Sequence, residues 1–486
     1  MNRLVTTMNE TEDSPFQGVG DDDSKHGETS ICSTPYLPEE IWHHIHSLMP
    51  IRDAARAACL SQTFLRSWRC YPNLTLDLYS LCVKPSQVVG LISTIDSIMR
   101  NHSGTGLKIF KLSLDLYGDY HRHYVDSWLW LAVTPGIEEL TLAHRNRRYS
   151  FPCSLLSDGV RNSIRYLKLG FCAFHPTVEL GPMRCLTSLY LHDVHVMGDE
   201  LECLISNSLA LEELDLYGCH EIVFLKIPCG LQRLSFVGVM SCCGVQMIEC
   251  KAPNLSRLDH DSTKTRLLLG EASQLKDFTL YDRNSVYYAR AELPSIMPNL
   301  EKLALSSYDE VNNTPTLPTK FLYLKDLSIA VTSGAAFSPS YDYFSLVSFL
   351  DASPSLETLF LDVSQDCMEH ESMFGSSSHL RQLPECRHGC LKSVEIIGFS
   401  SAKGLVELTC CIVKSAVSLE RLVLDPLRDT VRCYGKNGKI CWPMSKTVLE
   451  EAFRAVEAIR TYIEDEVPTT ASLTVVEPCA RCYSRG

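Results

Sequence analysis

The pattern L-x-x-L-x-L, with apolar replacements, recurs thirteen times along this 486-residue chain, and it narrows the possible folds more than any other feature. The hexads start at Leu107, Ile137, Ile164, Leu186, Leu211, Leu231, Leu255, Leu275, Leu300, Leu324, Leu356, Leu391 and Leu419, at spacings of 20 to 35 residues. Ile137-Glu-Glu-Leu140-Thr-Leu142 and Leu211-Glu-Glu-Leu214-Asp-Leu216 are clean; Leu255-Ser-Arg-Leu258-Asp-His260 is the poorest. Alternate side chains of a strand point to opposite faces, so the fourth and sixth positions of each hexad share one side. One hexad cannot bury that side alone, whereas stacked neighbours can. Repetition at roughly this period therefore predicts a curved solenoid with strands on its concave side. Pro253, Pro298 and Pro354 end connectors just ahead of hexads, as suits a residue without an N–H.

The length points the same way, because a single compact core rarely grows this large. A net charge of -13 argues against dependence on phosphate contacts, so no nucleic-acid partner is expected. The short basic cluster His144-Arg145-Asn146-Arg147-Arg148 reads as a solvated loop. No apolar run resembles a secretion signal or a membrane span, which gives no membrane partner and a cytoplasmic and/or nuclear location. There the 22 cysteines are expected as reduced, packing thiols, and the sequons at Asn73 and Asn254 carry no glycan expectation. Residues 1–34, with Asp21-Asp22-Asp23, read as a disordered polar leader.

Ahead of the repeats, residues 35–77 follow a different rule. Pro38, Glu39 and Glu40 suit the start of a helix, Ile41, Ile45 and Leu48 recur at helical spacing, and Pro50 ends it. Asp53 is expected to cap a second, alanine-rich helix reaching Leu60; Phe64, Leu65 and Trp68 mark a third. So short a segment cannot bury much of its own apolar surface, and one face should dock elsewhere.

Leu37-Pro38-Glu39-Glu40-Ile41, Ile45, Leu48-Met49-Pro50, Asp53-Ala54-Ala55, Leu60-Ser61, Phe64 and Trp68 together resemble the F-box, with Phe64 where many F-boxes place tryptophan. Residues 379–426 resemble the end of plant-type F-box/leucine-rich-repeat proteins: an FBD-like succession of the strand Leu391-Lys-Ser-Val-Glu-Ile-Ile-Gly-Phe399, a helix over 404–416, and the strand Ser418-Leu-Glu-Arg-Leu-Val-Leu-Asp-Pro426. The resemblance implies an α/β leucine-rich-repeat solenoid, a horseshoe, preceded by a small three-helix F-box. It also implies a Skp-type adaptor as partner, and through it a cullin and a RING protein in an SCF-type ubiquitin ligase. The adaptor-binding residues it implies are Leu37, Pro38, Ile41, Ile45, Leu48, Met49, Pro50, Leu60, Phe64 and Trp68.

The expected boundaries are 1–34 leader, 35–77 F-box, 78–106 helical linker, 107–440 solenoid, 441–465 C-terminal capping helix and 466–486 flexible tail. Thr447 and Glu450 fit a capping box for that last helix, with Leu449, Ala452, Phe453, Val456 and Ile463 on its apolar stripe.

Third, fifth and seventh hexad positions should line the concave face. They offer Tyr166, Lys168, Tyr190, His192, Asp215, Tyr217, Arg233 and Tyr281 as a surface for an unidentified protein substrate. Asp259, Asp277, Lys302 and Phe360 join them. No nucleotide loop, nucleophile elbow or zinc-protease helix is present, so the chain is expected to be non-catalytic and without cofactor. Cys479-Ala-Arg-Cys482 lacks a second ligand pair, and Cys386, His388 and Cys390 lack a fourth ligand, so no metal is expected. Two other readings remain: a ligand-dependent receptor resembling the hormone co-receptors, for which the converging basic cluster is not evident, and a repeat scaffold outside any ligase.

Overall fold

The computed structural model describes residues 38–81, 89–114, 122–144, 149–270, 274–308, 310, 313–332, 341–363, 371–375, 379–381, 387–427 and 446–478. The leader, Leu37, the cluster at 145–148, Cys386, Cys479 and Cys482 lie outside these residues. The chain divides into two units, Met1–Ala173 and Phe174–Gly486.

The first unit opens with helices α1 (Glu39–Ser47), α2 (Ile51–Ala58) and α3 (Gln62–Arg69). Pro38 and Pro50 sit at the caps of α1 and α2 and supply the first carbonyl acceptors. Asp53, expected to cap α2, therefore lies inside its first turn, 3.4 Å from Arg56. Four parallel strands follow, β1 (Asn73–Leu76), β2 (Ile109–Leu114), β3 (Glu139–His144) and β4 (Tyr166–Gly170), paired in that order. Strand β1 belongs to a repeat not counted in the sequence: Tyr71, Leu74 and Leu76 are buried at hexad spacing within the stretch assigned to the F-box. Helices α4 (Val89–Asn101), α5 (Arg122–Ala132) and α6 (Asp158–Arg161) connect the strands.

The second unit holds a parallel sheet of β5 (Ser188–His192), β6 (Glu213–Tyr217), β8 (Phe236–Met240), β10 (Arg257–His260), β12 (Asp277–Tyr281), β13 (Lys302–Ser307), β14 (Asp326–Val331), β15 (Thr358–Val363), β16 (Ser393–Ile397), β17 (Arg421–Asp425) and β18 (Ser472–Val475). A second sheet is formed by β7 (Phe224–Ile227), β9 (Met247–Cys250) and β11 (Arg266–Leu268). Helices α7 (Gly198–Ser206), α8 (Ser285–Ile296), α9 (Val347–Ala352), α10 (Lys403–Ser415) and α11 (Lys446–Tyr462) lie between strands in the chain. Each unit fits a repeat solenoid: hexad positions one, four and six are buried in repeat after repeat, as with Leu211, Leu214 and Leu216.

One hexad is displaced from its expected place. Leu231 precedes β8, and the stacked hexad is Leu234-Ser-Phe236-Val237-Gly238-Val239, because Val237 pairs with Leu214 and Val239 with Leu216. Two overlapping leucine patterns compete in the sequence, and pairing with β6 selects the later one. Arg233 consequently lies outside the strand face, exposed and paired with Glu212.

In several repeats position eight turns the chain out of its strand. Phe171, Asp193, Ser241 and Gly398 all have positive φ there, a left-handed turn that costs a non-glycine residue about 1–2 kcal/mol. The turn aims position nine back under the sheet. Cys219 and Cys242 occupy it, and their thiols donate to the position-six carbonyls of the preceding repeat, Leu191 at 3.5 Å and Leu216 at 3.6 Å. These cysteines thus make specific hydrogen bonds beyond the apolar packing expected of them.

His260 extends this ladder from position six. It is 1% exposed, and its Nδ1 lies 3.1 Å from the Val239 carbonyl. Burial pushes its pKa below the ordinary 6.5, and the nearby Asp261 and Asp282 offset only part of that. A depressed histidine pKa means that the unfolded chain takes up a proton that the folded one refuses. The stabilising contribution is full above pH 6.5 and declines as pH falls below it. We expect the unfolding midpoint in urea to drop between about pH 7.5 and about pH 5, and to drop less in His260→Leu. His102, buried and likewise lowered, contributes the same sign in the first unit.

The C-terminal region departs from expectation in one respect. The segment read as a flexible tail carries β18, which pairs in parallel with β17, Leu473 opposite Leu422. Alternating Leu473 and Val475 against Ser472 and Thr474 make an edge strand, a short pattern hidden behind the helix. Helix α11 is therefore the connector from β17 to β18 rather than a terminal cap. It starts at Lys446, ahead of Thr447, and buries Ala452, Ala455, Val456 and Ile459, with Ile463 buried just past its end, leaving Phe453 42% exposed.

Candidate interaction surfaces

Helix α1 has two apolar faces. Trp42 and His46, four residues apart, turn inward: Trp42 meets Phe64 edge-on at 5.4 Å, and His46 packs against Phe64, Trp68 and Tyr71 with Nε2 2.9 Å from the Ala54 carbonyl. Tyr71 clamps the turn after α1 by donating to the Met49 carbonyl at 2.6 Å, while His43 shares a hydrogen bond of 2.8 Å with Ser67. The other face stays open. Ile41 is 44% exposed, Ile45 37% and Leu48 71%, with Leu60 86% exposed beyond α2.

Of the expected docking residues, Pro38, Ile41, Ile45, Leu48, Pro50 and Leu60 are exposed, whereas Met49 and Phe64 are half-buried. Trp68 is 7% exposed, its ring 5.7 Å from that of Tyr71 and tilted to it. It builds the interior of the three-helix segment and presents nothing to a partner, because α3 turns it against α1. Leu37 lies outside the described residues.

The strand face is the second surface. In the first unit Lys111 sits 6.0 Å from the Tyr166 ring and 2.9 Å from Glu139, with Lys168 half-buried on the same face. In the second unit the Tyr190 hydroxyl donates to Glu213 at 2.5 Å. His192 meets Tyr217 edge-on at 4.6 Å, and Tyr281 lies 5.9 Å from Tyr308. Asp215 occupies space opposite Gly238, where a Cβ would stand 2.6 Å from its carboxylate. Arg257 lies over the Phe236 ring at 5.2 Å and forks onto Asp259 at 3.1 and 2.8 Å. Together Tyr190, Glu213, Ser235, Phe236, Ser256 and Arg257 line an open depression of about 330 Å³. Asp277, Lys302, Ala304, Asp326, Ser328 and Phe360 are among those lining another of about 250 Å³.

Phe236, Met240 and Arg257 were missed as members of this face. The displaced hexad hid the first two; Arg257, at position three of an assigned hexad, was readable. Position two carries a different charge pattern, alternating along the edge: Glu301 bridges Lys276 at 2.8 Å and Lys325 at 2.9 Å, and Lys392 meets Glu357 at 2.9 Å. The two lysines hold the Glu301 carboxyl at about 2.

Among the described residues no cluster of three potential metal ligands occurs, and no helix is long and apolar enough to cross a membrane. His388 has both ring nitrogens engaged, with the Ser353 carbonyl at 2.7 Å and the Leu391 amide at 3.2 Å, so it is a structural pin.

Comparison with known proteins agrees with this architecture. The family model described as At1g61320/AtMIF1, LRR domain, matches residues 98–480. Similar proteins of Arabidopsis thaliana include the FBD-associated F-box protein At1g61320, 22% identical over 80% of this chain and 88% of its own length. The putative FBD-associated F-box protein At5g53635 is 26% identical over 80% and 94%, and the F-box/FBD/LRR-repeat protein At1g13570 is 25% identical over 68% and 75%. None of these descriptions is that of an enzyme family. The chain belongs to the At1g61320/AtMIF1 leucine-rich-repeat family and is an F-box/LRR protein with an FBD-like region.

Proposed function

We propose that this protein is a non-catalytic substrate-recognition subunit of an SCF-type cullin-RING ubiquitin ligase. Residues 35–77 bind a Skp-type adaptor, and the strand face holds a target protein. The observation that carries this reading is the two-faced helix α1: Trp42 and His46 already satisfy the interior, yet Ile41, Ile45 and Leu48 keep a continuous apolar row in solvent. Covering a large aliphatic side chain is worth about 1.5–3 kcal/mol, so such a row is poorly placed unless a partner covers it. The mechanism is proximity. Tethering a target beside a charged ubiquitin carrier raises the local concentration of its lysines, and the chain needs no catalytic group of its own.

The test is co-migration in gel filtration of the full chain with a purified Skp-type adaptor, then with adaptor bound to cullin. Stoichiometric complexes are expected in both cases. Separate elution of chain and adaptor at micromolar concentration would leave a leucine-rich-repeat scaffold outside any ligase.

A further inference from the structure

Charge on the strand face of the second unit is sorted by row, and the sorting indicates what the face takes. Position three alternates in sign along the sheet, with Asp277, Lys302 and Asp326 in register on neighbouring strands, so this row largely cancels itself. Rows five and seven differ. They carry Asp215, Asp259, Asp261, Asp362 and Glu395 and, from β5 to β17, no lysine or arginine; Arg257 and Arg421 of position three reach over to Asp259 at 2.8 Å and to Glu395 at 3.1 Å, and the face keeps a negative excess. Interleaved with these carboxylates are the aromatic and thioether groups Tyr190, Phe360, Tyr217, Met240 and Tyr281, with Tyr308 beside the last. The face already shows how such groups accept a cation: the Arg257 guanidinium lies on Phe236 and forks onto Asp259, and Arg283 lies 5.8 Å from the Tyr308 ring. Burial pushes the Asp277 and Asp261 carboxyls above their ordinary range, so a positive group arriving there meets incompletely solvated anions.

We propose that the strand face of the second unit docks an extended, arginine- and lysine-rich segment of the target protein. Carboxylates of rows five and seven meet its cations, and the tyrosine rim packs on its side-chain stems. Resting on the receptor reading above, this inference names the class of target that reading leaves open. From β6 to β16 the face crosses seven strand spacings, about 34 Å at ~4.8 Å each, or about ten residues of extended chain. Opposed charge and aromatic surfaces suit guanidinium groups in particular.

The probe is a labelled peptide of about ten residues alternating arginine and serine, with a glutamate–serine peptide as its counterpart. Binding to the full chain is followed by fluorescence anisotropy at low and at physiological salt. Asp215→Asn, Asp259→Asn and Glu395→Gln together should weaken capture of the arginine peptide at least about tenfold and flatten its salt dependence. A control with Glu179→Gln, Glu457→Gln and Glu464→Gln, exposed carboxylates off this face, should bind like the parent. Circular dichroism checks that both triple variants fold. Equal loss in both would mean bulk charge alone and would overturn the proposal, as would no binding by the parent at low salt or equal capture of the glutamate peptide. If the arginine peptide binds as expected but the chain captures no adaptor, the ligase reading fails and this surface stands.

Discussion

Gly398→Ala is expected to destabilise the second unit by about 3 kcal/mol or more, because two independent penalties meet at this residue. Its φ of 71° lies in the left-handed region, and a Cβ there would stand 1.8 Å from the Val363 carbonyl oxygen and 2.9 Å from that carbonyl carbon. Both obstacles are backbone of the neighbouring strand, so no rotamer change relieves them; β15 and β16 would have to separate where Asp362 pairs with Ile397. Gly106 provides the comparison. Its φ is 76°, but nothing lies within 4 Å of the Cβ position, so Gly106→Ala should cost only the conformational term, about 1–2 kcal/mol. Thermal unfolding of the two variants beside the parent measures the difference. Equal small shifts would show that β15 and β16 give way easily at this turn.

The second large effect concerns a buried carboxylate. Glu407 on α10 is fully buried, and Arg381 satisfies it twice, through its backbone N–H at 2.8 Å and its Nε at 2.6 Å. The same guanidinium holds Asp342 through both terminal nitrogens, at 2.6 and 2.9 Å, and lies 4.7 Å from the Phe344 ring. Removing Arg381 leaves the buried Glu407 carboxylate without its partner, but the guanidinium is itself 43% exposed and water can partly replace it, so the loss is about 1–3 kcal/mol. Arg381→Ala should therefore lower stability by that order. Adding Glu407→Gln should return a good part of it, since the remaining amide is neutral. A double-mutant cycle in urea reads this coupling. Additive losses would mean that Glu407 is solvated in the folded protein.

Much of this fold was legible because its instructions are local. Alternation at hexad positions four and six needs only neighbouring residues, and the strand–helix–strand order of β16, α10 and β17 follows the sequence pattern directly. Leu231 against Leu234 was different: both are leucines, both are buried, and only pairing with β6 separates them. Strand β18 was missed because four residues with two apolar positions carry little periodic signal. The first surface was half legible. Ile41, Ile45 and Leu48 share a helical face by spacing alone, but whether a face turns in or out depends on what packs opposite it, and for Trp68 that is α1. Cys219 and Cys242 follow hexad starts Leu211 and Leu234 by the same interval, a signal that emerges only when the second start is placed correctly.

Whether the open face of α1 is the adaptor dock is measured most directly by the dissociation constant of the full chain for a Skp-type adaptor, compared with that of the double variant Ile45→Ala, Leu48→Ala. Both side chains are exposed, so circular dichroism should report an unchanged fold. Truncating two central anchors is expected to weaken binding by at least about 2 kcal/mol, more than tenfold. Unchanged affinity in the folded double variant, or no measurable adaptor binding by the parent, would mean that this face is not the dock.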